Sequence, residues 1–357
     1  MNPKTTLPSE SDITTFGKYQ QTLFFSKIDG GYPTGILQPH VELHKKDVVK
    51  IVKETLGKDV IHVTELSRRT LHYVYRAKTA DVSYIIRINA SGMFFREFQF
   101  FVEQWITGEL IKRQIPHVDI DAIDISRSLA PFDFEIMEEA RGKSLFDIGH
   151  EDGDILPHIK KLGIFVAHIH EIQTRGYGSF DIFKILNGQP IGIHQTWQGY
   201  LMLNLDKHLE YTVMTGILTV AESDAVKDAL KILEHIPCDT PSLLHGDIAN
   251  HNAFTDGKTI TSLIDWEDAI SGDPIFDIAY YATGCFGHDS WSNAFLEGYT
   301  SVVTLPEDHE KRFWAYYLRV AVVKAIVRFR YKTSATTAIA AVKERILLGL
   351  SKLSAFT

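Results

Sequence analysis

Cysteine is scarce. Cys238 and Cys285 are the only two in 357 residues, too few for a disulfide framework, and no CxxC pair or Cys/His cluster offers a zinc site, so a reducing cytoplasm is the expected setting. The opening "MNPKTTLPSESDITTF" lacks the basic head and apolar body of an export signal. No uninterrupted apolar run approaches membrane-spanning length, since even "LRVAVVKAIVRFRY" carries charges throughout. Basic residues are not in excess either. The formal net charge of −8 argues against a general affinity for nucleic acid and is compatible with a cationic small partner. Internal repeats and low-complexity tracts are also missing, which leaves a globular chain, 45% hydrophobic and long enough for two packed lobes.

Residues 1–40 are rich in Ser, Thr, Gly and Pro and read as a loop-dominated extension. Helical spacing of apolar residues predicts a helix from Val41 to Leu56. Three short β-branched and aromatic runs follow, "VIHVTEL", "LHYVYRAK" and "VSYIIRIN", separated by polar turns as in an antiparallel sheet. "MFFREFQFFVEQWITGELIKRQ" then has the period and length of a helix, and "FDFEIMEEA" is a further strand. After Gly142 the pattern turns helical, beginning with "DILPHIKKLGIFVAHIHEIQ" and resuming from Phe276 onward. The expected class is α+β, with a β-rich lobe over 41–137 and a mostly helical lobe over 138–357 meeting near Met137 to Gly142. A cleft between two lobes is a common place for a ligand.

The stretch "LLHGDIANHNAFTDGKTITSLIDWEDA", residues 243 to 269, carries polar groups that a packed core does not need. An apolar lead-in delivers Asp247 after a glycine, and Asn252 follows five residues on. Asp256-Gly257 then supplies the turn of a hairpin whose second strand brings Asp265 back toward Asn252. Hard oxygen donors on adjacent strands suit Mg²⁺, which keeps few protein ligands and fills its shell with water and phosphates. Asp247 beside them has the character of a base. Together these groups are the equipment of phosphoryl transfer.

His245-Gly246-Asp247, Asn252 and, thirteen residues later, Asp265 have the order and spacing of a protein-kinase catalytic loop and metal-binding Asp. With "HGD" in place of His-Arg-Asp and "IDWEDAISGDPIFDIAYY" in place of an Asp-Phe-Gly segment, the chain resembles the aminoglycoside phosphotransferase and kinase-like small-molecule phosphotransferase family, most of all its hygromycin-phosphorylating members. "SYIIRIN", "EEARGKSLFDI", "TRGYGSF" and "HQTWQGYL" extend the resemblance over about Glu65 to Tyr299.

The resemblance implies a bilobal protein-kinase-like fold, ATP or GTP as phosphoryl donor and Mg²⁺ held by Asn252 and Asp265. It also implies Asp247 as catalytic base, with His245 and Asp277 bracing the catalytic loop. Adenine would meet the carbonyl of Glu138 and the amide of Ala140 at the hinge. Arg87 stands where kinases place a phosphate-gripping Lys, with Glu97 as its helix partner and Glu103 as the alternative. The loop over the phosphates, "ELSRRTLHYVY", has no glycine, and Ser67 takes the place of a phosphate neighbour. The acceptor implied is a small hydroxylated molecule, with an aminoglycoside-type cation held by Glu267, Asp268, Asp289 and Glu297 as the leading form; choline, homoserine or sugar kinase activity are alternatives, as is a pseudokinase scaffold. Monomer and homodimer both stay open. His168 and His170 do not share a helix face and are expected to be packing or surface residues, and Trp197 a core aromatic.

Overall fold

The structure, a computed structural model, describes residues 43–68, 72–89, 98–150, 154–330 and 336–356. Residues 1–42, 69–71 and 90–97, which include Glu97, lie outside the described residues.

A helix over Lys45–Leu56 starts where Asp47 accepts the His44 main-chain amide at 2.8 Å and stops at Gly57, whose φ of +71° no longer continues it. Strands β1 (His62–Arg68), β2 (His72–Lys78) and β3 (Ser83–Asn89) follow. With β4 (Ile120–Asp124) and β5 (Phe134–Glu138) they form a five-stranded antiparallel sheet in the order β1-β2-β3-β5-β4. The period of two along β3 sends Ile86 and Ile88 to a core shared with Val48, Ile51 and Val52 of the first helix. Arg87 is thereby directed to the opposite face, where the Gln99–Lys112 helix lies.

Beyond β5 the chain becomes mostly helical. Strand β6 (Lys143–Ser144) joins β10 (Ala253–Thr255) and β11 (Ile260–Leu263) in a small sheet, and β7 (Tyr177–Phe180), β8 (Gly192–His194), β9 (Ser242–Leu244) and β12 (Ile270–Gly272) form another. Around them pack helices Leu156–Ile169, Ile275–Gly284, Asp289–Thr300, His309–Arg330 and Thr336–Leu353. Trp197 is a core residue as expected, its indole N–H donating to the Tyr316 hydroxyl at 2.8 Å. Hydrophobic burial and that one hydrogen bond account for it. The fold is bilobal α+β, and no helix of the described residues is long and apolar enough to cross a membrane.

The junction follows β5 directly. Glu139 donates its amide to the Ser83 carbonyl at 3.0 Å and receives Arg76 Nε at 2.7 Å, so the paired acids at 138 and 139 are anchored on one side to the sheet. Gly142, at φ +91°, sits so close to Thr255 that a Cβ would lie 2.0 Å from its carbonyl oxygen. Only glycine lets the hinge pass there.

Candidate active site

Strand β9 delivers His245, Gly246 and Asp247, and the loop they begin is held from behind by one buried carboxylate. Asp277, in the first turn of the Ile275–Gly284 helix, accepts the amides of His245 at 2.7 Å and Gly246 at 3.0 Å. His170 Nε2 lies 3.2 Å from the same carboxylate, and its Nδ1 is 2.9 Å from the Tyr299 hydroxyl. His170 is buried and belongs to this brace, whereas His168 is exposed and pairs with Glu171 at 3.1 Å. Sequence periodicity placed both on a helix but had no access to the long-range partner that distinguishes them.

His245 has its ring nitrogens committed. Nδ1 accepts the Asp247 amide at 3.2 Å and Nε2 faces the Ile264 carbonyl at 3.0 Å, an arrangement that suits the neutral imidazole carrying its proton on Nε2. Burial pushes its pKa down, in keeping with that neutral form. Gly246 has φ +79°, and a Cβ would lie 2.0 Å from the Asp268 carbonyl oxygen, so the turn that presents Asp247 requires glycine.

The Asp247 carboxylate receives the Tyr280 hydroxyl on Oδ1 at 2.8 Å. Burial and nearby Asp268 push its pKa up to about 6, against the opposing pull of Lys324 and Tyr280. Asn252 donates Nδ2 to the Asp247 carbonyl at 3.1 Å, which commits its amide nitrogen and leaves Oδ1 as a donor atom for a cation. The hairpin is as expected: Ala253 pairs with Leu263, the Ile264 amide meets the Asn252 carbonyl at 2.9 Å, and Asp256 Oδ1 accepts the amides of Lys258 and Thr259, each at 2.8 Å. Asn252 and Asp265 therefore stand beside each other at the hairpin's end. Asp265 itself occupies the left-handed region at φ +69°, ψ +60°, a conformation that Asp adopts more readily than most residues but still at a cost. One amide oxygen and one carboxylate flanking the paired strands β10 and β11 fit Mg²⁺, a hard ion that takes few protein oxygens.

Arg87 is buried and holds Glu103 through Nη1 at 2.6 and 2.7 Å to the two carboxylate oxygens. Glu103, the alternative partner, thus holds Arg87 from the second turn of the Gln99–Lys112 helix, while Glu97 lies outside the described residues. Nη2 of Arg87 reaches Asp265 at 3.3 Å and Glu267 at 3.4 Å. Burial alone would loosen the Arg87 proton, but Glu103, Asp265, Glu135 and Glu267 hold the guanidinium charged well above its ordinary range. Ser67 lies in β1, beside the bulge at Glu65 to Ser67.

A cavity of about 700 Å³ opens over Asp247. Its walls include Phe146, Tyr280, Tyr281, Trp291, Asp268 and Lys324. Of the carboxylates expected to receive a cationic acceptor, Asp268 does line it. The others are placed elsewhere: Glu267 turns to Arg87 and to His72 Nδ1 at 3.3 Å, Asp289 lines a second cavity of about 630 Å³, and Glu297 pairs with Lys160. Adjacent residues in a short 3₁₀ turn, Trp266–Asp268, point in different directions, which separates Glu267 from Asp268. The sequence reading did not single out Tyr280, Lys324 or His72, because each joins the site from an element distant in sequence. "FDIAYY" held one signal for Tyr280, three residues after Asp277 and hence on the same helix face.

The Escherichia coli hygromycin-B 4-O-kinase is 27% identical to this chain over 210 residues, a match that covers 57% of this chain and spans 58% of that enzyme's length. A thermostable mutant of aminoglycoside phosphotransferase APH(4)-Ia, solved as a ternary complex with AMP-PNP and hygromycin B, superposes with a TM-score of 0.66 at 21% identity, covering 86% of this chain and 98% of that one. Choline kinase LicA from Streptococcus pneumoniae gives a TM-score of 0.57 at 16% identity over 87% of this chain and 99% of that one. These two likenesses establish the fold. The model of the APH phosphotransferase enzyme family matches residues 62–314, and the chain belongs to that family.

Proposed function

We propose that this protein transfers the γ-phosphoryl group of ATP to a hydroxyl of a small molecule bound in the cavity over Asp247. The observation that carries the reading is the placement of the Asp247 carboxylate: it lines that cavity while its own main-chain carbonyl is tied to Asn252. One residue thus borders both the acceptor space and the place where a metal-bound nucleotide would end. Asp247 orients the acceptor hydroxyl and takes its proton, through the carboxylate oxygen that Tyr280 does not engage. Asn252 and Asp265 would hold Mg²⁺, which when bound neutralises charge on the phosphates. Arg87, kept charged and fixed by Glu103, contacts phosphate oxygens, and Ser67 lies near them from β1.

In this reading the nucleotide belongs to the lobe over 41–137 and the acceptor to 138–357, with adenine at the main chain of Glu138 and Ala140. The hygromycin-B kinase relative supports an acceptor of the aminoglycoside type, and the choline kinase likeness leaves room in the same fold for a smaller hydroxylated amine. The test is incubation with Mg²⁺ and ATP against hygromycin B and a panel of hydroxylated amines and sugars. ADP release and the mass of the acceptor are followed together. Acceptor gaining one phosphoryl group, and losing that gain in Asp247→Asn, is the expected result. ADP release that ignores both acceptor and Asp247 would reject it.

A further inference from the structure

The long His309–Arg330 helix brings a cation into the acceptor cavity. Lys324 lines it together with Asp247, and its ammonium lies 3.6 Å from the centre of the Tyr280 ring and 3.1 Å from the Tyr280 carbonyl. The same Tyr280 donates to Asp247 at 2.8 Å, so base, tyrosine and ammonium form one connected unit. A cation fixed on an aromatic face beside a reacting carboxylate acts on whatever enters next to that carboxylate. Beside the carboxylates of Asp247 and Asp268 and the imidazoles of His150, His251 and His288, the rest of the wall is mainly apolar or aromatic, with Phe146, Ile248, Trp291 and Val323 among it, and that apolar share weakens screening of the lysine charge.

Resting on the phosphotransferase reading, we propose that Lys324 is a specificity-determining residue of the acceptor site: it selects a molecule whose phosphorylated hydroxyl is flanked by neutral or anionic oxygen functions, with any ammonium group held away from it. The physical reason is that the Lys324 ammonium already occupies the Tyr280 side of Asp247, so an ammonium next to the reacting hydroxyl would be brought against a like charge, which is costly. An oxygen function would instead accept a hydrogen bond from the lysine. Asp268, which lines the same cavity, offers an amine elsewhere on the acceptor a partner of opposite sign.

The probes are three 4-nitrophenyl β-D-glycosides with one body and different charge: the glucuronide, the glucoside and the 2-amino-2-deoxyglucoside. Binding to the whole chain is measured by calorimetry without ATP, and phosphorylation of each probe separately with Mg²⁺ and ATP, for the native chain and for Lys324→Gln, Lys324→Glu and Lys324→Arg. The native chain should bind the glucuronide about tenfold more tightly than the amino sugar, the difference that one charged contact of about 1.4 kcal/mol produces. Lys324→Gln should compress that ratio, Lys324→Glu invert it, and Lys324→Arg restore it. An unchanged ratio in a folded Lys324→Gln, a preference of the native chain for the amino sugar, or no measurable binding of any probe would each overturn the assignment. Binding is read without turnover, which keeps the two readings apart. A ratio that follows the charge at 324 with no probe phosphorylated speaks against phosphoryl transfer alone; phosphorylated probes with a ratio indifferent to 324 speak against Lys324 alone.

Discussion

The Tyr280 hydroxyl donates to Oδ1 of Asp247 at 2.8 Å, across 33 residues of sequence, and engages only that one oxygen of a carboxylate that lines the larger cavity. The hydrogen bond favours the charged form of Asp247, whereas burial and Asp268 favour the neutral one and bring its pKa to about 6.

Because only the carboxylate can accept a proton, kcat/KM should be flat above that value and fall about tenfold per pH unit below it. Tyr280→Phe removes a donor to the charged form, so the acid limb should move to higher pH while the ring under Lys324 remains. Rate profiles between pH 5 and 9 decide the matter; an acid limb that stays in place would show that Tyr280 does not tune Asp247.

Asp247→Asn should lower kcat by roughly 10²- to 10⁴-fold, the usual contribution of a positioned acid–base group, and leave nucleotide affinity intact. If Asp265 holds the cation as proposed, Asp265→Asn should instead weaken Mg²⁺-dependent ATP binding as well as turnover, because charge would be removed from the ligand shell. Calorimetry with Mg²⁺ against a chelator, paired with single-turnover transfer, separates a base from a ligand. Equal damage to ATP binding in both variants would contradict the assignment.

On the proposed role of Arg87, Arg87→Ala should raise the KM for ATP more than that for the acceptor, since a guanidinium on phosphate would act before as well as during transfer. Glu103→Gln should produce a milder form of the same defect by loosening Arg87, which it now holds at 2.6 Å. Steady-state kinetics with each substrate varied in turn provides the check, and an unaltered KM for ATP in folded Arg87→Ala would return Arg87 to a structural role.

Asp277→Ala strips a partner from the amides of His245 and Gly246 and from His170 together. Two buried donors left unmatched cost about 1–3 kcal/mol each, so unfolding free energy should fall by roughly 2–6 kcal/mol. Urea titration measures this. A loss below about 1 kcal/mol would mean that the loop finds other acceptors.

How much of this was legible beforehand depends on the range over which each signal acts. Strands β1, β2, β3 and β5, the hairpin about Asp256-Gly257 and the set of Asp247, Asn252 and Asp265 were readable because each rests on local periodicity, turn chemistry or short spacing, whereas the edge strand β4 was not read. Fold class and family followed from those local patterns. The choice of Glu103 for Arg87 required knowing where the Gln99–Lys112 helix lies against β3, and the separation of Glu267 from Asp268 depended on the torsions of a three-residue turn. His170, Tyr280 and Lys324 act over 107, 33 and 44 residues of chain on partners that no local pattern marks. The sequence by itself determined which chemical groups the site could contain. Tertiary packing decided which carboxylates line the cavity, Asp247 and Asp268, and which meet Arg87, Asp265 and Glu267, because burial and charge–charge coupling depend on distance through space and not along the chain.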